Sequence, residues 1–321
     1  MRLGRLRLES KYLAIQYYYE EKQWGISWMC RQLGIARASY YKWLHREVPE
    51  AEQENIRLAG LISEYDERFG HILGYRRMTL WINHFNGTGY SKKRVHRIMK
   101  KLGIRSVIRK KKKKYIPSTP ERIAENKLKR DFCADKPNEK WSTDVTEFKI
   151  PQSDKKLYLS VILDLYDRTP VSYVLSTANN NQLVFKTFDK AISVNPGARP
   201  LFHSDRGFQY TSKAFQTKLQ KQGMEQSMSR TGCCIDNGPA EGFWGIIKTE
   251  MYCMYEVTDE ASLRDAIKKY MDFYTNERLQ ERFGGKPPAQ VRREALAASD
   301  PPSYPIAENK RIQKYKAKWV A

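Results

Sequence analysis

The chain is poor in the residues that build disulfides and metal clusters, with five cysteines and five histidines in 321 residues. Cys30, Cys133, Cys233, Cys234 and Cys253 form no CxxC pair, and no Cys/His spacing suits structural zinc. An odd thiol count without a signal-peptide pattern predicts a reduced, cytosolic protein. No apolar run reaches the length of a membrane span, so no membrane partner is expected. No heptad repeat is visible, so no coiled coil is expected either. The sharpest scarcity is of negative charge. No Asp or Glu lies between Glu67 and Glu121, a stretch holding 16 Lys and Arg residues.

The whole chain carries 58 basic against 36 acidic residues, a net charge of +22. Residues 1–135 hold 30 basic and 14 acidic residues, so most of the excess sits in the first part. A field of this kind attracts a polyanion, with nucleic acid ahead of an anionic membrane because no amphipathic anchor accompanies it. On charge alone the partner is DNA or RNA.

Along the chain, the beginning reads as helices. Lys11 to Lys22 predicts one helix, and Ile26 to Leu44 has helix-turn-helix grammar with Gly34 at the turn. Met29, Leu33, Ile35, Tyr40 and Leu44 are expected inside, with Arg37, Ser39 and Lys42 outside; an ordinary helical hairpin fits the same pattern. A second module runs from Glu54 to Leu102, with helices at Glu54 to Arg68 and Met78 to Phe85 and a break at Asn86 to Gly89. Ser91 then caps a helix whose Val95, Ile98, Met99 and Leu102 face inward, and Gly103 ends it. Arg76, Arg77, Lys92, Lys93, Arg94 and Arg97 are the candidate DNA-binding residues here. The bland reading of such charges is a solvated helix face, which the acid-free context argues against. Arg109 and Lys110 to Lys114, followed by Pro117 and Pro120, form a basic linker suited to tracking phosphates.

From Asn138 the pattern turns to strands: Lys140 to Ile150, Lys156 to Leu165 and Thr169 to Leu175. The helix Asn181 to Ile192, the strand Pro200 to His203, the helix Ser212 to Gln222 and the strand Glu225 to Ser229 follow. Three acids stand out within this region. Asp144 lies in Lys140-Trp141-Ser142-Thr143-Asp144-Val145-Thr146, Asp205 in Phe202-His203-Ser204-Asp205-Arg206-Gly207, and Glu241 in Asp236-Asn237-Gly238-Pro239-Ala240-Glu241. Thirty-five residues separate the last two. Asp236 or Asn237 can cap a helix that runs through Ile247, with Pro239 in its first turn and Glu241 near its positive end. Lys248 falls seven residues later on the same face. Any one of these acids alone is more often a turn former than a ligand, and Asp164 and Asp167 compete for the same reading.

A phosphodiester is anionic, so its cleavage calls for charge neutralisation, an activated nucleophile and a stabilised leaving oxygen. Paired divalent cations supply all three and require hard, anionic oxygen ligands. The combined motifs resemble the DDE transposase and integrase superfamily, and nearly the whole chain resembles the second-frame product of the IS-three family of insertion sequences. The end of the chain, from Tyr274-Thr275-Asn276-Glu277-Arg278-Leu279-Gln280 to Lys286-Pro287-Pro288-Ala289, also resembles that family, with Gln280 where His is common and Phe283 where Leu is common. The missing His/Cys zinc module separates it from retroviral integrases.

The resemblance implies an α/β, ribonuclease H-like mixed-sheet catalytic core preceded by small all-α, helix-turn-helix-type modules. The expected layout is a helix-turn-helix-like segment at 1–50, a helical DNA-binding module at 51–108, a basic linker at 109–137, the core at 138–276 and a tail at 277–321. Asp144, Asp205 and Glu241 would be both catalytic residues and ligands to two divalent ions, magnesium or manganese, with Lys248 on DNA. The implied activity is cleavage of element-end DNA and strand transfer by a 3′-hydroxyl. Implied partners are double-stranded DNA, further copies of the chain, and an upstream-frame DNA-binding protein, in a prokaryotic cytoplasm at the nucleoid. Two other readings stay open: a related integrase or nuclease without transposition, and an inactive DNA-binding regulator.

Overall fold

The computed structural model describes residues 8–47, 49–108, 125–151, 153–230 and 234–306, with the side chains of Cys234 and Ile235 left aside. Residues 109–124 of the basic linker expected at 109–137, and Cys233, lie outside these residues. The chain divides into two compact units, residues 1–69 with 73–105 and residues 70–72 with 106–321.

The first unit is all helix: α1 (Glu9–Lys22), α2 (Ile26–Gln32), α3 (Arg37–Leu44), α4 (Glu50–Arg68), α5 (Tyr75–Asn86) and α6 (Lys92–Leu102). Helices α2 and α3 meet at Gly34, whose φ of 63° is the left-handed conformation that glycine adopts without strain. Met29, Ile35 and Tyr40 are buried as expected, together with Tyr12, Ile15 and Trp43. Leu44 is a correction. It is 41% exposed, because Trp43 takes the inward position one residue earlier and stacks on Tyr12 at 5.4 Å. Leu33 is only partly buried against the same cluster.

Helix α4 begins four residues before the expected start, after Pro49 and with Glu50 and Glu52 in its first turn, where acids oppose the helix dipole. Helix α5 also starts earlier, at Tyr75, so Arg76 and Arg77 belong to the helix and not to the loop before it. The Ser91 hydroxyl accepts from the Arg94 amide at 3.2 Å, and Gly103 closes α6 at φ 74°, both as the sequence predicts. Val95, Ile98 and Met99 face inward.

The second unit is built on a five-stranded mixed sheet of β1 (Lys140–Lys149), β2 (Lys156–Asp164), β3 (Pro170–Ser176), β4 (Leu201–Ser204) and β5 (Gln226–Met228), in the order β3-β2-β1-β4-β5. β1 to β3 form an antiparallel meander, and β4 and β5 run parallel to β1. Between and after the strands come α7 (Asn181–Val194), α8 (Phe208–Thr211), α9 (Lys213–Lys221), α10 (Gly238–Met254), α11 (Glu260–Asn276) and α12 (Pro288–Ala297). This is the ribonuclease H-like arrangement. All of β2 but Lys156 and Tyr158 is buried, as suits a strand flanked by β3 and β1 with α7 packed against it.

Residues after 276 pack into this unit. Phe283, Val291 and Ala295 share a core with Leu165 and Tyr166. Arg292 of α12 reaches two buried acids, Asp164 and Asp167, at 2.9 Å each, while its other nitrogen donates to Asn138 and Asn195. Arg278 forms a two-pronged pair with buried Glu250, 2.9 Å on each side, and Tyr270 donates to the same carboxylate at 2.8 Å. These arginines neutralise charges that would otherwise oppose burial.

Candidate active site

The parallel pairing of β1 with β4 places two of the three acids. Ser142 faces His203 across the ladder. Asp144 lies two residues further along β1, and Asp205 lies two residues further on, just past the end of β4. His203 is fully buried, and its two ring nitrogens meet Ser227 and Ser229 at 2.9 and 3.2 Å. Burial lowers its pKa to about 4, so the ring is neutral and ties β4 to β5. The glycine of the Asp-Arg-Gly motif has a reason: its N–H donates to Asp205 Oδ1 at 2.9 Å, and a Cβ there would meet that oxygen at 3.0 Å.

Glu241 is carried by α10. Asn237 occupies the cap position but makes no capping bond, which corrects the expected role. Its side chain turns to β1 instead, accepting from Ser142 Oγ at 2.6 Å and donating to the Thr143 carbonyl at 3.1 Å. Asp236 is held by Arg130 at 2.5 Å and by Arg230 at 2.8 Å, so its carboxyl stays near 2 despite burial. Asn237 therefore pins the start of α10 against the strand that carries Asp144, while Asp236 ties it to Arg130 and Arg230. The helix continues to Met254, seven residues beyond Ile247.

Electrostatics separates Asp144, Asp205 and Glu241 from the buried acids of this unit. The Asp144 carboxyl is pushed up to about 7, first by burial, then by the Asp205 charge and more weakly by Glu241. Burial also raises Asp205, whose Gly207 hydrogen bond opposes the rise. Glu241 is exposed at the rim, and partial desolvation raises it as well. Asp164, Asp167, Asp236 and Glu250 each have an arginine. Among the described residues, no Lys, Arg or His forms an ion pair with Asp144, Asp205 or Glu241. An Asp144 carboxyl that feels the charges of Asp205 and Glu241, with no ion pair to any of the three among the described residues, suits hard divalent cations. Among the described residues, no three such side chains are drawn together closely enough to form a finished metal site.

Lys248 is half-buried on α10, with its ammonium 5.6 Å from the centre of the Phe148 ring. Burial lowers its pKa, against the pull of Glu147 and Asp144, so the lysine lies within the field of Asp144. Sequence reasoning missed Trp244, whose indole Nε1 donates to Asp144 Oδ2 at 2.9 Å. Its position three residues after Glu241 was the available signal.

Of the basic residues in the helical unit, Arg76, Lys92, Lys93 and Arg97 are exposed and Arg77 is half-buried. Tyr75, Arg76, Lys92, Lys93 and His96 line one shallow recess. Arg94 turns inward: it donates to Asn55 Oδ1 at 2.9 Å and lies 5.5 Å from the centre of the Tyr90 ring.

Comparison with known proteins follows the same division. Family models described as the integrase core domain match residues 134–234 and 241–296, and one described as an HTH-like domain matches residues 52–112. The chain is 35% identical to the putative transposase InsK for insertion sequence element IS150 of Escherichia coli (strain K12), over 82% of this chain and 92% of that one. It is 28% identical to the transposase InsF for insertion sequence IS3A of the same strain, over 89% of this chain and 100% of that one. Among solved structures it is similar to the HTLV-2 integrase catalytic core domain in complex with magnesium, at 24% identity and a TM-score of 0.39, over 49% of this chain and 97% of that one.

Proposed function

Because the chain belongs to the IS3 family of insertion-sequence transposases, we propose that it cleaves the ends of a DNA element and joins a freed 3′-hydroxyl to a second phosphodiester. Asp144, Asp205 and Glu241 are the catalytic residues in this reading and the ligands of two divalent cations, magnesium or manganese. One observation supports it: Asp144 feels the charges of Asp205 and Glu241 with no arginine paired to it, whereas the buried acids Asp164, Asp167, Asp236 and Glu250 are each neutralised by one. When bound, the cations neutralise the attacked phosphate and lower the pKa of a nucleophilic hydroxyl. The protein supplies the rest. In this reading β1 presents Asp144, the turn after β4 presents Asp205, α10 presents Glu241, and Lys248 offers a positive charge near Asp144 for a phosphate.

The helical unit binds DNA through Arg76, Arg77, Lys92, Lys93 and Arg97. Arg94 braces the helix that presents them. An element has two ends and each chain holds one triad, so coordinated joining requires at least two copies on DNA. Recognition of the end sequence is shared with an upstream-frame DNA-binding partner, and the work takes place on DNA at the nucleoid. Among the described residues no helix is long and apolar enough to cross a membrane.

The test is nicking and joining of labelled element ends in saturating magnesium by Asp144→Asn, Asp205→Asn and Glu241→Gln. Each should abolish both steps while DNA affinity is kept. Near-normal cleavage by any one removes that residue from the triad. Cleavage without joining by the unaltered protein would favour a nuclease over a transposase.

A further inference from the structure

Helix α10 and strand β1 run side by side and are stitched along their length. Asn237 bonds to Ser142 and Thr143, Trp244 to Asp144, and the Tyr252 hydroxyl donates to the Lys149 carbonyl at 2.9 Å. From Asn237 to Tyr252 is fifteen residues, and from Ser142 to Lys149 is seven. At about 1.5 Å per helical residue and about 3.3 Å per strand residue, both paths cover about 23 Å. The matched lengths fix one register between helix and strand, and Trp244 is the contact that falls on an acid of the triad.

Trp244 is buried, with 7% of its surface exposed, and its indole has one N–H and no acceptor on the ring nitrogen. That donor goes to Asp144 Oδ2, while Oδ1 accepts from the Val145 amide at 2.7 Å. A carboxylate otherwise turns through a broad torsional range. Held by one donor on each oxygen, the Asp144 carboxylate has a settled plane, and each oxygen keeps a second lone pair. Glu241 and Trp244, three residues apart, share one face of α10, so the third acid and the donor that orients the first move as one body.

We propose that Trp244 is a positioning residue of the metal site, fixing the plane of the Asp144 carboxylate for a divalent cation. The inference rests on the triad reading above and adds a residue that touches neither cation nor DNA. Donors of this kind are worth about 10- to 100-fold in metal affinity.

The experiment measures binding of Mn2+ alone to the full-length protein, by calorimetry and by electron paramagnetic resonance. Trp244→Phe keeps the apolar ring and removes the donor. Trp244→Gln gives up the ring and retains an N–H. Trp244→Phe should weaken Mn2+ binding about 10- to 100-fold, with thermal stability and metal-free DNA affinity close to those of the unaltered chain. Trp244→Gln should recover part of the loss, and in cleavage assays the Phe variant should need more metal but approach the normal rate at saturation. Unchanged or tighter Mn2+ binding by Trp244→Phe overturns the proposal, and so does an equal loss in both variants accompanied by lowered melting temperatures. Asp144→Asn is the reference. If it binds Mn2+ normally, the triad reading fails; if it loses binding while Trp244→Phe does not, only the role of Trp244 fails.

Discussion

Replacing Asp144 by Asn should change sign in its effect on stability as pH rises, when metal is chelated throughout. The folded carboxyl sits at about 7, against an ordinary value of 3.8, chiefly because it is buried and secondly because Asp205 faces it. Folding therefore raises this pKa, and the folded state binds the proton more tightly than the unfolded chain. Below pH ~4 both states are protonated and the group is neutral to stability. Between pH ~4 and ~7 only the folded state keeps the proton, so stability falls as pH rises, by up to ~1.4 kcal/mol per unit. Over about three units the upper bound is ~4 kcal/mol, and the partial exposure of the side chain reduces this to about 2 kcal/mol. Asn does not ionise and escapes that loss. It has one carbonyl for two N–H donors, Trp244 and Val145, and the unmatched donor costs about 1 kcal/mol. The variant should be about 1 kcal/mol less stable than the unaltered protein near pH 4.5 and about 1 kcal/mol more stable near pH 8, crossing between. Urea unfolding at pH 4.5, 6 and 8, followed by circular dichroism with chelator present, measures the difference. A gap that does not vary with pH, or one that moves in the opposite direction, would refute the electrostatic account of Asp144.

Arg292→Met should destabilise the core by about 3–5 kcal/mol, because it leaves Asp164 and Asp167 buried without their cation. Adding Asp167→Asn should restore part of that in denaturant unfolding, and no restoration would mean the arginine acts through packing alone. DNA affinity of the full chain should fall steeply with salt, about a thousandfold or more between 50 and 200 mM if six or more phosphates are contacted. Fluorescence anisotropy over that range would show it, and a flat response would contradict the charge argument.

How much was legible in advance differs from residue to residue. Local rules worked where one residue's chemistry decides the outcome: Ser91 at a helix start and Gly103 at its end. Helices α11 and α12 were not anticipated, although Asp259 and Ser262 form a capping box that marks the start of α11. The chain after 276 resembled a family tail without any stated role, because the value of Arg278 and Arg292 depends on acids 28 and more than 120 residues away. Asn237 shows the same limit: its spacing suits a helix cap, and only the adjoining strand gives its side chain better partners.

By itself the sequence determined the chemistry available: a charge distribution suited to a polyanion, three acids in contexts fit for hard cations, and periodicities that set helices first and a mixed sheet after them. Tertiary structure decided which acids carry a free charge. Asp144 and Asp164 lie twenty residues apart on neighbouring strands and look alike in sequence, but Asp164 meets Arg292 while Asp144 meets Trp244 and the field of Asp205. A pKa and a vacant lone pair are properties of surroundings brought together from distant parts of the chain, and so they exist only after folding.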